Sequence, residues 1–226
     1  MNNLNPTWIK QIKLIAWDLD GTLYPDSPKL HEAIRQEQLK AVADKLGVDI
    51  HETEDKFNQI YEQLHSHTKT LDFLGINGQQ FFLDVWQKMN LANYIHKNKK
   101  LSELLRQIYE SNKWQQYLLT NSNNRVSIEL KLGLIGIDLE VFDQIFNSVE
   151  IGHNKPDIGI FKYLWESSGL NRDEIVYVGD RERTDIQAAK KYGLKAIKIA
   201  KNNEKKTEAD LVFPTAEQVA ELFLQS

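Results

Sequence analysis

Two aspartates, Asp18 and Asp20, stand one residue apart in the run Asp18-Leu19-Asp20-Gly21-Thr22, where the almost continuous apolar stretch Ile12 to Asp18 ends. An apolar run of that length reads as a strand buried on both faces of a parallel sheet. Ligands of such sheets bind beyond the carboxyl ends of the strands, which is where the pair falls. Gly21 permits a turn that brings the carboxylate of Asp20 beside that of Asp18. One carboxylate can then act as a nucleophile while the other handles protons. The plainer reading is that Asp20-Gly21-Thr22 only turns the chain, with Asp18 satisfying loose backbone amides.

Three further segments follow in order, each after an expected strand. Leu118-Leu119-Thr120-Asn121-Ser122 ends a strand with a hydroxyl and backbone amides, which suits a phosphate oxygen if a helix starts soon after. Asn154-Lys155-Pro156-Asp157 sets a lysine before a proline-led helix, where a fixed ammonium can neutralise both a phosphate and an aspartate nucleophile. Tyr177-Val178-Gly179-Asp180 closes another buried run, and Asp185 lies about one turn into the helical segment beyond it. Asp180 and Asp185 facing Asp18 supply oxygen ligands for a hard cation, and magnesium suits one or two carboxylates, waters and a substrate phosphate. Each segment also has a structural account. Thr120 or Ser122 can cap a helix, Lys155 can be solvated, and Asp180 and Asp185 can serve a helix N-terminus.

The elements that must position these residues alternate. Strands are expected at Ile12 to Asp18, Trp114 to Thr120, Ile175 to Gly179 and Leu194 to Ala200, separated by helical patterns. That alternation predicts an α/β fold with a parallel sheet. Between Tyr24 and about Glu103 helical periodicity takes over. Leu30, Ile34, Ala41, Val42 and Leu46 fall near one face and Gly47 stops that helix; Phe57, Ile60, Tyr61 and Leu64 follow the i, i+3, i+4, i+7 rule. Phe81, Phe82, Val85, Trp86 and Met89 repeat the pattern. An all-helical block right after the first strand reads as an inserted cap, so the expected organisation is a core of residues 1–23 and 104–226 with a cap over 24–103.

Composition narrows the function. The 226 residues include five Trp, nine Phe and eight Tyr, enough for a sizeable core, and the net charge of −4 gives no reason to expect a nucleic acid partner. The short basic cluster Lys97 to Lys100 and the one spanning Lys201 to Lys206 read as solvated loops. Cysteine is absent, which excludes disulfides, thiol catalysis and thiolate metal sites. Met1 to Lys10 lacks a secretory apolar region and no run is long enough to cross a bilayer, so no membrane partner and a cytoplasmic location are expected. His65 and His67, at i and i+2, point to different sides of a helix and do not form a metal pair, and His153 reads as an exposed loop residue. Phosphate-loop, dinucleotide, serine hydrolase and zinc protease motifs are missing.

Together, Asp18-Leu19-Asp20-Gly21-Thr22-Leu23, Thr120, Lys155-Pro156 and Gly179-Asp180 with Asp185 resemble the haloacid dehalogenase superfamily over nearly the whole chain. The resemblance implies a Rossmann-like core, a helical cap and bound Mg2+. It implies Asp18 as nucleophile, Asp20 as general acid and base, and Thr120, Asn121 and Lys155 as phosphate binders. The metal would be held by Asp18, the main-chain carbonyl of Asp20 and Asp180, with Asp185 in support. Dehalogenases and phosphonate-cleaving members lack an aspartate at the position of Asp20, so the chain looks like the branch of phosphatases and phosphomutases acting on a small phosphorylated metabolite. A phosphomutase, or a non-catalytic binding protein on the same fold, is the rival expectation. Thr70 to Gly75, Phe81 to Val85 and Asp18 to Tyr24 are similar to pyrimidine 5′-nucleotidase-like members, which would make a nucleoside monophosphate the substrate. Arg181 stands where many members carry a small residue.

Overall fold

The computed structural model describes residues 6–64, 66–121, 124–200 and 206–226. Ser122, His65 and most of the basic run at 201–206 fall outside these described residues. Six strands form one sheet: β1 (Leu14–Trp17), β2 (Gln115–Thr120), β3 (Gln144–Asn147), β4 (Ile175–Gly179), β5 (Lys195–Ile199) and β6 (Leu211–Phe213). Their order is β3-β2-β1-β4-β5-β6, and every pairing is parallel. This is the doubly wound, Rossmann-like α/β arrangement, whose strand order reverses beside the first strand and opens a crevice at the carboxyl ends there.

The chain divides into two compact units, residues 1–26 with 95–226, and residues 27–94. The boundaries expected from periodicity are 23/24 and 103/104; the first division lies three residues and the second nine residues from them. Helix α5 (Lys99–Glu110) belongs to the first unit and packs on α10 (Ala216–Leu224).

In the first unit, strands β1, β2 and β4 are buried on both faces, which is why they read as near-continuous apolar runs. Leu14, Ala16, Tyr117, Leu119, Ile175, Tyr177 and Ala196 point to one side, and there they meet Ile160, Phe161 and Leu164 of α8 (Ile158–Ser168) and Ala188, Ala189 and Tyr192 of α9 (Ala188–Tyr192). The alternate set, Ile15, Trp17, Leu118, Val176 and Val178, is equally buried. On that side the Gln116 amide donates to Leu105 O of α5 at 2.9 Å. Each fully buried side chain of this size contributes about 1.5–3 kcal/mol. Strands β3 and β6 escaped the sequence reading because they are short edge strands. Gln144 is exposed and Val212 faces outward, so neither shows an unbroken apolar run.

Two more helices of this unit bear on the site. They are α6 (Arg125–Ile135), capped by Asn124, and the single turn α7 (Ser148–Ile151), capped by Asn147. Pro156 does not open the helix after Lys155: α8 starts at Ile158, with Asp157 accepting from Gly159 N as its cap. Beyond β4, residues Glu182–Gln187 form a π-helical turn.

The second unit is all helical: α1 (Pro28–Leu46), α2 (Ile50–Leu64), α3 (His67–Phe73) and α4 (Gly78–Lys88). Its core is Leu39, Val42, Phe57 and Leu71, flanked by Tyr61, Leu74, Ile76, Phe81 and Phe82. Ser27, Ser66 and Asn77 cap three of the helices, and Gly47 ends α1 in the left-handed region. His67 packs against Tyr61 in a tilted arrangement with ring centroids 4.5 Å apart.

Candidate active site

Every residue of the site lies in the first unit: Asp18, Asn121 and Asp180 follow the carboxyl ends of β1, β2 and β4, and Lys155 comes from the loop between α7 and α8. Asp18 follows β1, and its N–H donates to Val178 O at 2.8 Å, so the chain is still paired to β4 where the carboxylate leaves the sheet. The side chain is almost wholly buried. Lys155 Nζ lies 2.7 Å from Asp18 Oδ1, 2.6 Å from Asp185 Oδ1 and 2.7 Å from the Tyr177 hydroxyl. An ammonium has three N–H donors, so all three are engaged. Tyr177 in turn donates to Leu119 O at 3.1 Å.

The backbone of Lys155 is held as firmly as its head group. Its N–H donates to Asn121 Oδ1 at 2.8 Å, and Asn121 Nδ2 donates to its carbonyl at 3.1 Å. The side chain of Asn121 therefore braces Lys155 at both ends of its amide. Thr120, buried at the end of β2, pairs in register with Asn147 of β3.

Asp180 and Asp185 close the other side. One carboxylate oxygen from each of Asp18, Asp180 and Asp185 lies within 4.8 Å of the others. Asp185 is fully buried, and its oxygens accept from Lys155 and, at 2.9 Å, from Arg181 N. Asp180 Oδ1 is buried with no hydrogen-bond partner. Three carboxylates face the ammonium of Lys155 and the guanidinium of Arg181, so the cluster keeps a net negative charge among buried groups. A divalent cation offsets that charge, and an all-oxygen donor set suits magnesium. Without a cation the cluster favours protons. Burial above all pushes Asp18 up to about 7, against the pull of Lys155 and with the push of Asp185. Burial and then Asp185 push Asp180 up to about 6.

Asp20 is turned elsewhere. The peptide bends at Gly21, whose φ of +87° is the left-handed conformation glycine accepts without strain. Asp20 Oδ1 then accepts from the Tyr24 hydroxyl and, at 2.7 Å, from Lys131 Nζ. Tyr24 is mostly buried beside this carboxylate, and both effects raise the pKa of its hydroxyl, which stays a donor.

The structure thus brings Asp18, Lys155, Asp180 and Asp185 into one cluster, with Asn121 behind it and Asp20 beside it. Sequence reasoning missed Lys131, Tyr177 and the hydroxyl of Tyr24. Lys131 had a signal. Ile128, Lys131, Leu132 and Ile135 share the buried stripe of α6, and a lysine there demands a buried partner. His153 pairs with exposed Asp157 at 2.8 Å, as a loop residue does.

Comparison with known proteins agrees with this geometry. A family model described as haloacid dehalogenase-like hydrolase matches residues 12–193. The glyceraldehyde 3-phosphate phosphatase of Methanocaldococcus jannaschii is 31% identical over 224 residues, spanning 88% of this chain and 90% of that protein. The protein of the same description from Methanopyrus kandleri is 27% identical over 83% of this chain and 84% of its own length. Among solved structures, the HAD phosphatase from Thermococcus onnurineus superposes with a TM-score of 0.67 at 22% identity, over 93% of this chain and 97% of that one. The 2-haloacid dehalogenase from Pseudomonas syringae pv. Tomato gives 0.62 at 21% identity, over 95% and 99%. At such identities these two likenesses speak to the fold alone. The match of the family model across most of the sequence goes further: this chain belongs to the haloacid dehalogenase-like hydrolase family.

Proposed function

We propose that the protein is a magnesium-dependent phosphatase that hydrolyses a small sugar phosphate, of the size of glyceraldehyde 3-phosphate, through an aspartyl-phosphate on Asp18. The observation that carries this reading is the buried Asp18 carboxylate held 2.7 Å from Lys155 Nζ at the strand-order reversal. The substrate class rests on the curated relatives described as glyceraldehyde 3-phosphate phosphatases.

In this mechanism a carboxylate oxygen of Asp18 attacks phosphorus as the bond to the leaving oxygen breaks. Asp20, entering protonated, gives its proton to the departing alkoxide. A water then attacks the phosphorus of the acyl phosphate, Asp20 takes up its proton, and the Asp18 carboxylate and inorganic phosphate are released. Lys155 stabilises ionised Asp18 and the phosphoryl oxygens, which Thr120 and the main chain of Asn121 also hold. Asp18, Asp180 and the main-chain carbonyl of Asp20 would hold magnesium, which would supply charge neutralisation to those oxygens. Asp185, with both oxygens already accepting, supports that site. The helical unit of residues 27–94 is, on this reading, the inserted cap.

The test is phosphate release from a panel of glyceraldehyde 3-phosphate, larger sugar phosphates, and pyrimidine and purine nucleoside monophosphates. Wild type is assayed with magnesium and with excess chelator, beside Asp18→Asn. Magnesium-dependent release, lost in D18N and greatest on a three-carbon substrate, supports the proposal. Preference for a nucleoside monophosphate would move the substrate to the nucleotidase branch. Release that survives D18N would end the aspartyl-phosphate mechanism.

A further inference from the structure

The ion pair between Lys131 and Asp20 is out of place as a structural device. Its lysine is 2% exposed on the apolar stripe of α6, where a leucine or methionine would pack at no electrostatic cost. Its partner is not another core residue but the half-exposed acid of the site, 111 residues away in sequence. A second donor, the Tyr24 hydroxyl, reaches the same oxygen, Oδ1, from the turn that follows Gly21. Two donors on different elements, both on Oδ1, fix the rotation of the carboxylate as well as its place.

We infer that Lys131 is a positioning residue, clamping the Asp20 carboxylate through Oδ1 in the orientation for proton transfer to the leaving group and from the hydrolytic water. This deepens the reading of Asp20 given above and rests on it. Lys131 acts through Asp20 and touches no substrate. Its loss should therefore slow proton transfer while leaving the binding of the phosphoryl group alone.

Lys131→Met tests this, because methionine suits the apolar stripe and removes only the cation. Turnover of an alkyl phosphate should fall about 10- to 100-fold, part of the 10²–10⁴-fold that a positioned acid or base supplies in full. KM and inhibition by inorganic phosphate should stay within about 2-fold, the split expected when only transition-state stabilisation is lost. An aryl phosphate with a nitrophenol leaving group needs no proton to depart. With it the pre-steady-state burst should stay near the wild-type rate, while the turnover that follows slows. Unchanged turnover of the alkyl ester, an equal loss in burst and turnover, or weakened phosphate inhibition would each overturn the inference. If K131M does not fold, Lys131→Gln is measured in its place, and the same outcomes support or overturn the clamp. Asp20→Asn is run beside them. Full activity of D20N refutes the role of Asp20 itself, whereas a slow D20N with a normal K131M refutes only the clamp.

Discussion

Gly21 packs against the carboxylate of Asp180. A Cβ built on Gly21 would lie 2.6 Å from Asp180 Cγ, far inside contact distance, and the backbone there has φ +87°. The turn that aims Asp20 thus exists only as glycine, and the same glycine makes room for the acid with an open buried oxygen. Gly21→Ala should cost about 1–2 kcal/mol from the left-handed backbone alone. It should also push Asp180 aside, raising the magnesium concentration for half-maximal activity by at least about 10-fold. A magnesium titration of G21A activity checks this, and an unshifted midpoint would show that Asp180 can retreat without cost.

Lys155 is the cation of the cluster, and Lys155→Met should expose how much depends on it. Removing it strands Asp18 and Asp185, both buried, without their shared ammonium. Breaking a buried pair in this way costs about 3–5 kcal/mol. At this chain length that lowers the melting midpoint by about 6–20 °C, and the loss of a charge-stabilising donor lowers kcat by at least about 10²-fold. Lys155→Arg should not restore activity, since the longer planar fork has no room where Lys155 is 5% exposed. Thermal melts and initial rates of both variants decide it.

Acids that break a local rule at strand ends were legible, although Lys131, which breaks one on a helix, was not. An acid at the end of an apolar run, as at Asp18 and Asp180, announces a site, because nothing in strand packing asks for it. Elements buried on both faces were legible for the same reason, and the edge strands β3 and β6 were not. Tyr177 stayed hidden because a tyrosine inside Ile175–Gly179 fits any β-strand. Only the register of Tyr177 with Ala16 places its hydroxyl beside Lys155. Lys131 needed the face of α6 to be read, since its partner is remote in sequence.

The raised acids give the metal-free protein an unusual pH response. Asp18 at about 7 and Asp180 at about 6 start from 3.8, so the folded chain keeps protons that the unfolded chain has released. Stability from these groups is therefore fully present below about pH 4 and lost as pH rises towards 7, by a few kcal/mol in all. Cation binding displaces those protons, so the melting shift produced by magnesium should grow from pH 5 to pH 7.5. Melts in chelator and in magnesium across this range test the sign. A chelated protein that gains stability from these groups between pH 5 and 7 would mean that they are not protonated in the apo fold.

Asn121 tests whether the loop after β2 works on phosphate or on Lys155. Both side-chain atoms of its amide are committed to the Lys155 backbone, at 2.8 and 3.1 Å. Asn121→Ala removes two hydrogen bonds, each worth about 0.5–1.5 kcal/mol, and frees the segment that carries the ammonium. A lysine head displaced by even part of an ångström loses alignment with Asp18, and small misplacements of catalytic groups cost up to about 10²-fold. The expected result is a kcat lowered about 10-fold with inhibition by inorganic phosphate little changed, because the phosphate contacts proposed for Thr120 and the main chain do not involve the Asn121 side chain. A weakened phosphate inhibition with kcat intact would instead put the Asn121 side chain on the substrate, and the brace between Asn121 and Lys155 would open whenever phosphate binds.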